Sequence, residues 1–146
     1  MLYDDLVVGQ EFVSVGRTMT EADIQSFAGL SGDFNPLHTD QEWVSANTPY
    51  RGRIAHGLLV LSMSSGMTTA GLDQLEVLAY MEVQRRMVAP TYPGDTLRVL
   101  QTIESMRPSS KQSTAGIVTV NVSVTNQDSA PVQTGYDVLL VRRDAQ

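Results

Sequence analysis

Hydrophobic residues along this chain keep two different periods, and the switch between them divides it into a mostly helical first half and a β-rich second half. The plainest pattern is late: Gly116, Val118, Val120, Val122 and Val124 alternate with Ile117, Thr119, Asn121, Ser123 and Thr125, a strand with one apolar face. From Leu75 the same period of two holds, with Leu75, Val77, Ala79, Met81 and Val83 alternating with Glu76, Leu78, Tyr80, Glu82 and Gln84, so this segment is also read as a strand with one buried face. Thr96 to Met106 and Tyr136 to Val141 supply two further strands. Tyr92-Pro93-Gly94-Asp95 and Asn126 to Ala130 supply the turns between them. Gly9 to Met19 reads as a short edge strand.

The helical signals lie between. Thr20 fits an N-cap with Asp23 three residues on, Ile24, Phe27 and Ala28 form a stripe at helical spacing, and Gly32 can end the helix in a left-handed turn. Thr39 to Ala46 reads as one or two helical turns, and Thr48 to Arg53 as coil around Pro49 and Gly52. In the run from Ile54 to Thr69, apolar residues occupy nearly every side of a helix, which must then be covered all round. An antiparallel sheet needs something apolar against its inner face, and this helix is the one candidate of suitable length. The expected architecture is therefore α+β, an antiparallel curled sheet wrapped around one long central helix: the hot dog fold, as a single domain over residues 1–146. A β-sandwich would have no use for that helix, and a doubly wound fold would need helices between the late strands.

Composition narrows the function. With 42% apolar and 18% charged residues the chain is that of a globular protein, and its formal charge of -6 argues against a nucleic-acid surface. The absence of cysteine removes disulfides, thiolate nucleophiles and cysteine metal sites. The acidic start, MLYDDLVVGQ, lacks the basic flank of a signal peptide, and no apolar run is long enough to span a membrane, so the cytoplasm is the expected location.

The candidate chemistry sits in Ser31 to His38, SGDFNPLH. Pro36 has no N–H and restricts Asn35 to extended geometry, so the loop should fold Asp33 back toward His38. An imidazole beside a carboxylate exchanges protons near neutral pH. The other histidine, His56, precedes Gly57 at the head of the apolar helix and is read as structural.

With its SGDFNPLH loop, its Ala55-His56-Gly57 segment and its Pro93-Gly94-Asp95 turn, the chain resembles the MaoC-like dehydratases, the (R)-specific enoyl-CoA hydratase family, from Phe27 to the last strand. Asp33, Asn35, Pro36 and His38 match the hydratase motif. The resemblance implies hydration of a trans-2-enoyl-CoA to the (3R)-hydroxyacyl-CoA, or the reverse, with Asp33 and His38 as the catalytic acid/base pair holding one water. It implies no metal and no redox cofactor; coenzyme A enters as part of the substrate. Asn35 holds either that water or, by a local turn hydrogen bond, the loop itself. The thioester oxygen gains charge as an enolate forms, and the Gly57 N–H at the start of the helix is the candidate donor, unless the glycine serves only tight packing. By family position Ser62 is a supporting polar group. It lies about 140° from Gly57 around a regular helix, and it can instead bond back to Leu58. Where the family carries an aromatic-rich strand, this chain has Glu82 to Arg86, EVQRR, so the shape of the substrate pocket stays open. Arg85, Arg86, Arg142 and Arg143 are cations that could meet the phosphates of coenzyme A, none singled out.

Two other readings compete. A hot dog thioesterase commonly places a carboxylate on the central helix, but Arg53 to Gly71 has no Asp or Glu. A noncatalytic acyl-thioester binder leaves the acid and imidazole without a purpose. A curled sheet alone would expose an edge, so a homodimer is expected, and the resemblance puts the thioester tunnel at the subunit boundary.

Overall fold

The computed structural model describes residues 1–67 and 69–144. Among these residues there are six strands, β1 (Glu11–Val13), β2 (Arg17–Thr18), β3 (Val77–Met87), β4 (Thr96–Pro108), β5 (Ala115–Thr125) and β6 (Pro131–Arg142), with four α-helices, α1 (Glu21–Ser31), α2 (Pro36–Thr39), α3 (Gln41–Asn47) and α4 (Gly57–Ser65). All pairings are antiparallel, in the order β1-β4-β5-β6-β3, with β2 also on β4. The expected curled sheet and helix are thus present, with the sequence-adjacent strands β3 and β4 on opposite sides of the β5–β6 hairpin.

The alternation in β5 places Val118, Val120, Val122 and Val124 in the core, together with Leu97, Val99 and Ile103 of β4 and Leu139 and Val141 of β6. Each such side chain, moved out of water, contributes about 1.5–3 kcal/mol. Against this face pack Leu59, Val60 and Met63 of α4. The turn after Tyr92 forms as expected, with Asp95 N–H donating to Tyr92 O at 3.0 Å and Gly94 at φ 93°.

Four sequence expectations need correction. The central helix is shorter than Ile54 to Thr69: Ala55 N–H donates to Thr91 O, which holds Ile54 to His56 extended, so α4 begins at Gly57 and ends at Ser65. Thr68 lies outside the described residues. Nor is α4 covered all round, because the sheet wraps one side only and Leu58 stays 61% exposed. The segment from Leu75 does not have one buried face; β3 exposes Leu78 and Tyr80 as well as Met81 and Val83. It is an edge strand, and two irregularities in its register with β6 break the alternation. Finally, Gly9 to Met19 is two short strands, since at Ser14 the side-chain oxygen, in place of a backbone carbonyl, accepts from Val99 N–H of β4, and the regular ladder resumes only at Arg17.

Candidate active site

Helix α1 is capped as its sequence requires: Asp23 N–H donates to Thr20 Oγ1, and Thr20 N–H donates to Asp23 Oδ2. At the other end Gly32 adopts φ 77°, a conformation that costs glycine little, and turns the chain so that Asp33 leaves the helix axis. From there the loop is bonded at almost every residue. Asp33 N–H donates to Ser31 Oγ, Asn35 N–H to Asp33 Oδ1 at 3.1 Å, and Leu37 N–H to Asn35 Oδ1 at 3.0 Å, which caps α2 with Pro36 in its first turn. Asn35 therefore spends its side-chain oxygen on the local turn, while its backbone N–H orients the Asp33 carboxylate.

The segment leading into α4 completes the site. His38 Nδ1–H donates to Ile54 O at 2.7 Å, and Ile54 N–H donates to Leu37 O. Since a carbonyl only accepts, Nδ1 carries the proton and Nε2 presents a lone pair. That nitrogen faces Asp33 Oδ2 at 3.9 Å. The gap is too long for a direct hydrogen bond and wide enough for one water at about 2.8 Å from each. The His38 side chain is 10% exposed and that of Asp33 51%, so the pair opens to solvent on the carboxylate side. Burial of the ring holds the His38 pKa below the ordinary imidazole value. The bond to Ile54 and the Asp33 charge oppose this, and the neighbouring His56 adds to it. The imidazole is accordingly neutral at pH 7 and able to take a proton.

His56 has the structural role read from the sequence. Its ring stacks on His38 with centroids 3.7 Å apart, and Nε2–H donates to Asp33 O at 2.9 Å. It thereby pins the backbone of Asp33 to the N-cap of α4. Asp33, His38 and His56 have donor atoms within 4.8 Å of one another. Stacked rings, however, send their lone pairs side by side instead of toward one point, and each ring already gives one nitrogen to a carbonyl, which is a poor arrangement for a shared ion.

Gly57 starts α4, and among the described residues nothing accepts a hydrogen bond from its N–H. Its φ is not the reason for glycine: a Cβ there would meet Met87 Cγ at 2.9 Å. Beside it opens a cavity of about 240 Å³ lined by Ile54, Ala55, Gly57, Met87, Thr91 and Gln133 among others. Asp33 and His38 do not line it, but the Ile54–Gly57 segment is its wall and also holds both of them. Ser62 is not brought to this group: it lies on the exposed face of α4, and its hydroxyl donates to Leu58 O at 2.7 Å.

Of the four candidate phosphate contacts, Arg85 is buried in a pair with Asp137 at 2.7 Å and cannot reach solvent phosphates. Arg142 pairs with Glu76 and Arg143 with Asp4. Gln133 escaped the sequence reading. Its signal was a polar residue in phase with Asp137, Leu139 and Val141 on the inward face of β6, where an apolar one is expected.

An (R)-specific enoyl-CoA hydratase of Rhodospirillum rubrum is 32% identical over 109 residues, which cover 75% of this chain and 74% of that protein. The crystal structure of a MaoC-like dehydratase from Rhodospirillum rubrum matches with a TM-score of 0.84 at 26% identity, covering 100% of this chain and 99% of that one. A Mycobacterium tuberculosis protein with a double hotdog fold matches at TM-score 0.85 and 21% identity over 99% of this chain and 44% of its own, a likeness of fold alone. The sequence model of the MaoC like domain spans residues 5–126, and with it the loop, the pair and the turn described above, so this chain belongs to the MaoC-like family and has its hot dog fold.

Proposed function

We propose that the protein is an (R)-specific enoyl-CoA hydratase, or the corresponding dehydratase in the reverse direction. The observation that carries this is the neutral His38 Nε2 facing Asp33 Oδ2 across room for one water, with His56 packed on both and followed by Gly57, whose N–H has no acceptor among the described residues. Water is too weak a nucleophile to attack an enoyl β-carbon unaided. Held between the two groups, it gives a proton to His38 Nε2 while its oxygen bonds to the β-carbon. The π electrons move to the thioester oxygen, where the Gly57 N–H receives the charge. The imidazolium, stabilised by Asp33, then returns the proton to the α-carbon, so the elements of water add to one face. No electron leaves the substrate, and the step needs neither metal nor redox cofactor.

In this reading the enzyme acts as a homodimer. Strand β3 is a long edge with Leu78, Tyr80, Met81 and Val83 exposed, and pairing with a second copy would cover it. Among the described residues no helix is long and apolar enough to cross a membrane. The test is loss of the conjugated-thioester absorbance of crotonyl-CoA. Asp33→Asn and His38→Ala should each lower the rate by about 10²–10⁴-fold with the fold intact. Full turnover in either variant, or thiol release in place of hydration, would overturn the proposal.

A further inference from the structure

Gln133 is 2% exposed and lines the cavity beside Gly57. Its Nε2–H donates to Gly57 O at 2.7 Å, and this bond fixes which end of the amide is which, because a carbonyl needs a donor. The other end, Oε1, is buried with no partner among the described residues. Leaving an amide oxygen unsatisfied is costly, so a buried acceptor on a residue that lines a cavity calls for a donor that arrives with a ligand. The rest of the wall is mixed: Ile54, Val60, Met87 and Val88 are apolar, and Tyr50 and Thr91 add polar groups. What fits is a ligand with short apolar stretches that brings an N–H to Gln133.

Resting on the hydratase reading, we propose that Gln133 Oε1 accepts the amide N–H of the cysteamine arm, the group common to coenzyme A and acyl-carrier-protein thioesters. That N–H lies two methylenes from the thioester sulfur. Gln133 is hydrogen-bonded to the carbonyl of the same glycine whose N–H is proposed to receive the thioester charge, so both contacts are anchored at the first residue of α4. Gln133 is thus a positioning residue: it fixes the first turn of α4 with one end of its amide and registers the substrate with the other. An alkyl thioester, lacking the amide, would leave Oε1 unpaired.

The experiment compares crotonyl-N-acetylcysteamine with S-butyl thiocrotonate, which lacks the amide, in wild type and Gln133→Met. Wild type should favour the amide substrate in kcat/KM by on the order of tenfold, and the variant should lose that preference whatever it loses in absolute rate. A merely structural clamp on Gly57 would lower both rates and leave their ratio unchanged, and that result overturns the proposal. Crotonyl-CoA and crotonyl-acyl carrier protein both carry the amide, so Gln133→Met should lower kcat/KM for whichever the wild type turns over; an unchanged value would also refute it. Failure of wild type to hydrate any of these would refute the hydratase reading instead. In that event binding remains measurable: S-acetyl-N-acetylcysteamine should shift the side-chain amide resonances of Gln133 and S-butyl thioacetate should not, and equal shifts would overturn the contact.

Discussion

Replacing His56 with phenylalanine separates positioning from packing at this site. Phenylalanine keeps a ring against His38, now stacked at 3.7 Å, but removes the Nε2–H that holds Asp33 O at 2.9 Å. Losing that bond costs about 0.5–1.5 kcal/mol. In the other direction, His56 Nδ1 is buried with no partner among the described residues, and removing it recovers about 1–3 kcal/mol, less the strain of a slightly larger ring. The opposed terms are similar in size and nearly cancel, so stability should stay within about 1–2 kcal/mol of wild type and Tm within about 4–8 °C. Activity should respond far more. With its backbone unpinned, the Asp33 carboxylate shifts relative to His38, and a misplacement near 1 Å lowers kcat/KM by about 10²-fold. His56 also helps to hold the His38 pKa down, so its removal lets that value rise. Since His38 acts as the neutral base, the acid limb of the kcat/KM profile moves to higher pH. Stability carries the same sign: an unfolded chain takes up the proton near its ordinary pKa of about 6.5 before folded His38 does, so stability is lost as pH falls through that region, over a narrower window in His56→Phe. The assays are thermal unfolding and a pH series of crotonyl-CoA hydration. A folded His56→Phe protein with wild-type kcat/KM and an unmoved acid limb would refute the argument that His56 positions Asp33.

Other outcomes follow from the same geometry. Asp137→Asn leaves the Arg85 guanidinium, 2% exposed, without its counter-charge, and urea denaturation should show a loss of about 3–5 kcal/mol, partly restored by Arg85→Met in the same chain. A charge in the exposed apolar edge, Val83→Glu, should shift the light-scattering mass from dimer toward monomer; a wild type already monomeric would refute the dimer.

The sequence by itself determined the local structures and the chemistry of the loop. Thr20 with Asp23, Gly32, and Pro36 after Asn35 fix their own backbone within a few residues, so the cap, the left-handed exit and the turn toward His38 were legible without the fold. The valine alternation of β5 was equally plain, because both neighbours of a central strand enforce its period. Only the tertiary structure decided where chain segments far apart in sequence meet. Ala55 bonding to Thr91 shortened α4, and the edge position of β3 exposed both faces of a segment whose pattern promised one buried side. Gln133 and Gly57, distant along the chain, share a hydrogen bond that no spacing foretells. Short-range sterics and capping are written residue by residue, whereas the partner of a buried polar group is chosen by which strands the sheet brings beside the helix.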